Sequence, residues 1–303
     1  MGKIAFVFPG QGSQYVGMGK SIYDKFDVAR KVYNCCDDEK IMNISFSGSL
    51  VDLTFTNNVQ PAMFMVSLAT ALALKESGIS ADGVAGFSVG EIPALAYAGL
   101  LSIKDAYELV CIRANAMHKC TQSLKGKMIA VLGLSNEVVE KICVSVGDAY
   151  LANLNAPGQI VVSLKEDVED ELIGAIMSFK GYALPLNVAG AFHSPLMNDA
   201  AARLNDYLSK INFSEMIIPI YSNVTGKIYK SLEEPRRLLA EQVNHPVLWQ
   251  KTVEQMIVDG YDTFIETGPG KVLTGLIKKI DKSVRIFNAF DEESLGLVVN
   301  NVK

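Results

Sequence analysis

The sequence lacks the features that identify membrane, secreted or nucleic-acid-binding proteins. Its longest apolar runs, such as 66–74 and 128–134, are much shorter than the roughly 20 residues that span a bilayer. The 28 Lys and Arg and the 33 Asp and Glu are spread without a long run of one sign, so we expect no nucleic-acid partner. The amino terminus matches a buried first strand better than a signal peptide, which predicts a cytoplasmic protein with no membrane contact.

Cysteine and histidine are also scarce. The five cysteines show no CxxC spacing, and their odd number in a chain without an export signal predicts reduced thiols, no disulfide and no metal site. Only three histidines are present, so a histidine base has to be His118, His193 or His245. By contrast, 49% of the residues are hydrophobic, which is enough for a large buried core.

The order of the predicted elements indicates an α/β protein with an inserted module. Residues 4–8 have the pattern of a strand, followed by a turn and a helix, and we predict that this strand forms one edge of a core sheet. Between 125 and 189 the order is strand, helix, strand, strand, helix, strand, which predicts a ferredoxin-like subdomain. The flanking segments, 1–124 and 190–303, are predicted to form one α/β catalytic domain with a mostly parallel sheet.

The strongest chemical signal is the G-x-S-x-G pattern of residues 86–90, in which Ser88 lies between a predicted strand and a predicted helix. This is the pattern of a nucleophile elbow, where flanking glycines allow a tight turn that exposes the serine. The backbone N–H of Val89 is then the natural first donor to an oxyanion. The alternative is that Ser88 only caps the following helix.

A serine nucleophile needs a base, and His193 is the best of the three candidates. It lies in a loop between a predicted strand and a predicted helix, where functional residues of α/β sheets concentrate. His118 lies near the end of a helical stretch and is expected to be structural, because a cation there offsets the helix dipole. His245 precedes a proline and belongs to no motif. A purely structural role for His193 is the alternative.

Arg113 stands on a mostly apolar helix, where a charged side chain needs a partner. Its planar fork could bind a substrate carboxylate through two hydrogen bonds, which would select a dicarboxylic acyl group, such as malonyl, over acetyl. An internal salt bridge is the alternative. Gln11 lies in the turn 10–14, which either faces a ligand with its N–H groups or is a plain turn. Residues 268–270 are predicted to form a tight turn without a chemical role.

Together these motifs resemble the malonyl-CoA:acyl carrier protein transacylases and the related acyltransferase domains of polyketide synthases. The similarity covers nearly the whole chain, through segments 6–19, 86–102, 113–117, 155–163, 190–197, 241–249 and 266–276. It implies a hydrolase-like α/β core with a ferredoxin-like insertion. It also implies transfer of malonyl from malonyl-CoA to the phosphopantetheine thiol of acyl carrier protein, without a cofactor, for fatty acid or polyketide synthesis.

The resemblance assigns roles to individual positions. Ser88 becomes the nucleophile, His193 its base and Arg113 the anchor of the malonyl carboxylate. The remaining implied roles are an oxyanion hole from the backbone N–H groups of Gln11 and Val89, a backbone carbonyl of Gln242 that orients the histidine, and an acyl pocket that includes Phe87, Met117, Asn155 and Phe192.

The sequence departs from the family at two positions, Phe87 and Ala114, where histidine and glycine are usual. Within the same fold, an acyltransferase that serves a polyketide assembly line in trans and a malonate decarboxylase are alternatives. A thioesterase or lipase-like hydrolase, and a non-catalytic carrier-binding module, are alternatives from other classes. We expect a monomer.

Overall fold

The computed structural model describes residues 2–188 and 190–302, and the strands in these ranges form two separate sheets. Met1, Ala189 and Lys303, where predicted segments begin or end, lie outside the described residues. The strands in chain order are β1 (Lys3–Phe8), β2 (Gly83–Gly86), β3 (Gly126–Leu132), β4 (Ala149–Ala156), β5 (Gln159–Lys165), β6 (Tyr182–Pro185), β7 (Ile220–Tyr221), β8 (Tyr261–Thr267) and β9 (Arg285–Ala289).

Five strands form a parallel sheet in the order β7-β2-β1-β8-β9, and the other four form an antiparallel sheet in the order β4-β5-β3-β6. The predicted α/β core with a mostly parallel sheet and a second, inserted sheet is therefore confirmed. The helices in chain order are α1 (Lys20–Lys25), α2 (Asp27–Cys36), α3 (Glu39–Ser47), α4 (Thr56–Glu76), α5 (Glu91–Tyr97), α6 (Ile103–Ser123), α7 (Asn136–Val146), α8 (Glu169–Ser178), α9 (Asn198–Leu208), α10 (Glu234–Glu241), α11 (Trp249–Val258), α12 (Val272–Ile280) and α13 (Glu292–Val302).

Strand β1 lies in the middle of the parallel sheet, because β2 pairs with one side of it and β8 with the other. Its side chains alternate between two apolar clusters: Phe6 and Phe8 face the one that contains most of α4, and Ala5 and Val7 face the one that contains Trp249. The prediction that this strand is an edge is wrong. A strand from far along the chain, β8, covers the side that local sequence leaves open.

The antiparallel sheet is built by the order β3-α7-β4-β5-α8-β6, as predicted for the inserted module. Its helices cover one face, where Ile129 and Val131 are fully buried in a small core of their own. The opposite face carries Met128, Ala130 and Val161, which pack with the cluster of the larger unit. The exact domain boundaries, 125 and 189, stay a prediction.

Differences from the predicted elements lie mainly at their ends. The last strand of the inserted module ends at Pro185, before the predicted module boundary at 189, and a 3₁₀ turn, Pro195–Met197, precedes α9. The helices α2, α3, α10 and α13 and the strand β9 were not predicted. In the described ranges, no helix combines the length and apolar character needed to cross a membrane.

Candidate active site

Ser88 lies at a sharp turn directly after β2, at the carboxyl end of the parallel sheet. Its φ of 54° is in the left-handed region, which is unusual for a residue with a side chain. A Cβ at Gly86 would lie 2.0 Å from the carbonyl group of Gly90, and a Cβ at Gly90 would lie 2.1 Å from the carbonyl oxygen of Phe8. Both glycines of the G-x-S-x-G pattern are therefore required, because backbone fills the space that a side chain would occupy.

Ser88 and His193 form a hydrogen-bonded pair. The Ser88 Oγ lies 2.7 Å from the His193 Nε2, and the His193 Nδ1 lies 2.7 Å from the backbone oxygen of Gln242. Since a carbonyl oxygen only accepts, Nδ1 carries the hydrogen and Nε2 is left as the acceptor for the serine proton. The imidazole is nearly fully buried, and burial together with the charge of Arg113 lowers its pKa to about 3. His193 is therefore a neutral base.

Arg113 reaches the same serine from α6. Its Nη2 donates to the Ser88 Oγ at 3.1 Å and to the Gln242 Oε1 at 2.9 Å, and its Nη1 donates to the Gln60 Oε1 at 2.6 Å. Burial lowers the pKa of the guanidinium to about 10, so it stays charged at neutral pH. None of the described carboxylates lies within 4.0 Å of it, and its Nε has no partner among the described groups. The salt-bridge alternative is therefore wrong.

A cavity of about 430 Å³ opens in front of Ser88. Its wall joins both sheets, since Met128 and Ala130 of β3 face the turn that carries Ser88. The Oδ1 of Asn155 is buried on this wall without a partner among the described groups. The cavity also brings together most of the predicted site residues: Gln11, Phe87, Ser88, Val89, Met117, Asn155, Phe192 and His193.

Phe87 lines the cavity, and its ring packs edge-on against Trp249 with 5.6 Å between the ring centroids. Its position next to Ser88 makes the wall apolar where the family usually has histidine. Phe192 is anchored through its backbone, because its carbonyl oxygen accepts a hydrogen bond from the Ser163 hydroxyl. Gln11 and Val89 line the cavity beside Ser88, and their role as oxyanion donors stays a prediction.

The other candidates lie away from this chemistry. His118 and His245 do not line the cavity. The His245 Nδ1 lies 3.0 Å from the backbone oxygen of Glu241, at an exposed position. Residues 268–270 form a turn in which both glycines have positive φ, as their sequence suggests. Within the described residues, no group of three His, Cys, Asp or Glu side chains is placed to hold a metal ion.

The structure adds a set of buried polar residues of which only Gln242 was named from the sequence, for its backbone carbonyl. Behind Ser88, away from the cavity, a carboxylate accepts hydrogen bonds from a tyrosine, a glutamine and a backbone N–H. We call this set the rear network, and it consists of Glu91, Asn223, Tyr229 and Gln242. A charged residue directly after the elbow, at the start of the apolar segment EIPALAY, was the available signal for Glu91. Gln60, the partner of Arg113, was also missed.

Known proteins resemble this chain over almost its full length. A family model described as the acyl transferase domain matches residues 5–303. A malonyl CoA-acyl carrier protein transacylase of Bacillus subtilis is 38% identical, over 100% of this chain and 98% of that protein. The solved malonyl CoA-acyl carrier protein transacylase of Clostridium perfringens is 35% identical, with a TM-score of 0.95 over 99% of this chain and 97% of its own. A malonyl-transacylase solved in complex with its type II PKS acyl-carrier protein is 32% identical, with a TM-score of 0.94 over 99% of each chain.

Proposed function

Because the chain belongs to the acyl transferase family, we propose that it transfers malonyl from malonyl-CoA to the phosphopantetheine thiol of acyl carrier protein. One observation carries the proposal. The Ser88 Oγ lies within hydrogen-bonding distance of both a neutral imidazole and a buried guanidinium, at the wall of a cavity. The imidazole can take the serine proton for acyl transfer, and the guanidinium can bind an acyl group that ends in a carboxylate.

In the first half-reaction, the Nε2 of His193 takes the proton of the Ser88 hydroxyl as the oxygen attacks the thioester carbonyl carbon. The backbone N–H groups of Gln11 and Val89 stabilise the oxyanion that forms. The tetrahedral intermediate then collapses, the C–S bond breaks, and coenzyme A leaves as a thiol with the proton from His193. A malonyl ester of Ser88 remains.

In the second half-reaction, the thiol of the carrier protein's phosphopantetheine arm enters the cavity. His193 takes the thiol proton, and the sulfur attacks the ester carbonyl carbon. When the C–O bond to Ser88 breaks, His193 returns the proton to the serine oxygen. The products are malonyl-carrier protein and the free enzyme. The backbone oxygen of Gln242 holds the imidazole in one tautomer through both halves.

Arg113 selects the acyl group. A guanidinium has five N–H donors, and the hydrogen bonds to Gln60, Gln242 and Ser88 use three of them. The donors that remain, including Nε, are available to a malonyl carboxylate. An acetyl group offers them no acceptor, so it forgoes the charge-assisted hydrogen bonds that bind malonyl.

The wider setting follows from the same reaction. We propose that the protein acts in the cytoplasm, as a monomer and without a cofactor, and that it supplies malonyl-carrier protein to fatty acid or polyketide synthesis. The relative solved with its type II PKS acyl-carrier protein supports a carrier protein as acceptor.

The test is the intact mass of the protein after incubation with malonyl-CoA or acetyl-CoA, followed over time. We expect a malonyl adduct in the unmodified protein, none in Ser88→Ala, and a reduced malonyl-to-acetyl rate ratio in Arg113→Ala. Arg203→Ala is the matched control, because Arg203 is exposed on α9. Equal labelling by both donors in the unmodified protein would overturn malonyl selection, and free malonate without an adduct would indicate a hydrolase.

A further inference from the structure

Glu91 lies three residues after Ser88, at the first position of α5, and only 1% of its surface is exposed. Its carboxylate accepts three hydrogen bonds. The Tyr229 hydroxyl donates to Oε1, while the Gln242 Nε2 and the Asn223 backbone N–H donate to Oε2. Glu91 does not line the cavity, and all three groups that donate to its carboxylate come from distant parts of the chain.

Two of these partners also hold the reacting residues. Besides its bond to Glu91, Gln242 accepts from Arg113 through Oε1 and from the imidazole of His193 through its backbone oxygen. The Asn223 Oδ1 accepts from the backbone N–H of Ser88 at 2.7 Å. Each residue that the proposed reaction needs is therefore one hydrogen bond away from a partner of Glu91.

The carboxylate is also one of three groups that fix the orientation of the Gln242 amide, with Arg113 and the Ser88 backbone oxygen, which accepts from Nε2 at 3.0 Å. In the observed orientation, its NH₂ group faces Glu91 and its oxygen faces Arg113. The flipped orientation would put the amide oxygen against the Glu91 oxygen and the NH₂ group against the guanidinium, which leaves both contacts repulsive. Glu91 and Arg113 together allow only one orientation.

We propose that Glu91 is a positioning residue of the acyl transfer site, acting as a hydrogen-bond acceptor that fixes Gln242 and Asn223 and thereby places Arg113 and Ser88. The inference rests on the proposed function. The acceptor oxygen Oε2, rather than a full negative charge, is what the role requires, because both Oε2 partners are donors. In agreement, burial raises the pKa of Glu91 to about 7, so its protonated form is also populated near neutral pH.

Two conservative substitutions separate the acceptor from the charge. Glu91→Gln keeps the length of the side chain, and its carbonyl oxygen can replace Oε2 while its NH₂ group faces the Tyr229 oxygen. Glu91→Asp keeps the charge but withdraws the carboxylate by one methylene, so the Asn223 backbone N–H and one of the two Gln242 amide hydrogens lose their acceptor, while the other Gln242 hydrogen keeps the Ser88 backbone oxygen at 3.0 Å. Tyr229→Phe is the matched control, because it removes the Oε1 contact and leaves both Oε2 contacts in place.

The readout is the ratio of malonyl to acetyl labelling rates, since a smaller folded fraction lowers both rates equally and leaves the ratio unchanged. We expect Glu91→Gln and Tyr229→Phe to stay within about threefold of the unmodified ratio, and Glu91→Asp to lower it at least about tenfold, the cost of one unpaired buried group. A thermal melt of each variant reports whether it is folded.

A Glu91→Asp ratio equal to or above that of Glu91→Gln would overturn the inference. In particular, a ratio that is lowered in Glu91→Gln and unchanged in Glu91→Asp would indicate that the charge of Glu91 matters. The unmodified protein keeps the two proposals apart. If it forms no malonyl adduct, the proposed function fails; if it does and the variants rank otherwise, only the role of Glu91 fails.

Discussion

The two sides of Ser88 are built in opposite ways. Behind it, the rear network of Glu91, Asn223, Tyr229 and Gln242 is buried and linked by hydrogen bonds to the serine, the histidine and the arginine. In front of it, the cavity wall is mostly apolar and holds a buried oxygen, Asn155 Oδ1, without a partner among the described groups.

The difference separates two tasks. Groups that must keep one geometry through both half-reactions are satisfied inside the protein before substrate arrives, which is how preorganised sites reduce the cost of reorganisation. Groups that meet the acyl chain are left open for it. Substitutions that break the hydrogen bonds holding Ser88, His193 or Arg113 from behind should therefore have large effects on the labelling rate or on the preference for malonyl, while substitutions in front should have smaller ones.

Replacement of the base should have the largest effect. We expect His193→Ala to slow labelling of Ser88 by malonyl-CoA at least about 10³-fold, because no other described imidazole lies near the serine. The measurement is the labelling rate by intact mass, with His118→Ala as the control that should stay near the unmodified rate. A His193→Ala rate above a tenth of the unmodified one would show that His193 is not the base.

The next largest effect should come from Asn223→Ala, behind the serine. The change leaves the backbone N–H of Ser88 without its acceptor, so we expect labelling to slow about 10- to 100-fold and the free energy of unfolding to fall by about 1–3 kcal/mol. Labelling rates and urea unfolding measure the two effects. Asn205→Ala, at an exposed position of α9, should change neither, and an Asn223→Ala protein that behaves like this control would contradict the assigned role.

The burial of Glu91 should be visible in the pH dependence of stability. Burial raises the pKa of its carboxyl from the ordinary 4.5 to about 7, so in this window the folded protein holds a proton that the unfolded chain has released. The contribution of Glu91 to the unfolding free energy therefore falls as pH rises from about 4.5 to 7, by on the order of 2–3 kcal/mol.

Glu91→Gln removes this contribution, while other groups, such as His193, titrate alike in both proteins. Urea unfolding from pH 4.5 to 7.5 should show Glu91→Gln becoming more stable relative to the unmodified protein as pH rises. A stability difference that does not change with pH would contradict a buried, titrating carboxyl.

The smallest effect should be in front. Since Asn155 Oδ1 has no partner among the described groups, Asn155→Ala should change the unfolding free energy by less than about 1 kcal/mol. The labelling rate of Asn155→Ala, measured over a range of malonyl-CoA concentrations, should be less than about tenfold below that of the unmodified protein. A loss of more than about 100-fold would place Asn155 with the fixed groups and break the contrast between the two sides.

Sequence patterns predicted the features of the fold and the site that depend on residues close together in the chain. The turn at Ser88 follows from two glycines that cannot carry a Cβ, and the α/β order follows from hydrophobic periodicity. Local patterns could not predict the rear network, because Asn223 and Gln242 lie 135 and 154 residues after Ser88 and belong to no periodic pattern. The role of the Gln242 backbone carbonyl came only from the family resemblance. The central place of β1 was missed for the same reason, since β8 is set by long-range pairing.

The most direct test of the proposed acyl transfer is a two-step experiment on the unmodified protein. Malonyl-CoA is added first, peptide mapping locates the adduct, and the phosphopantetheine-bearing acyl carrier protein is added next while both intact masses are followed. We expect a malonyl group on Ser88 that disappears as the carrier protein gains the same mass. An adduct on another residue, or one that water removes as fast as the carrier protein does, would contradict it.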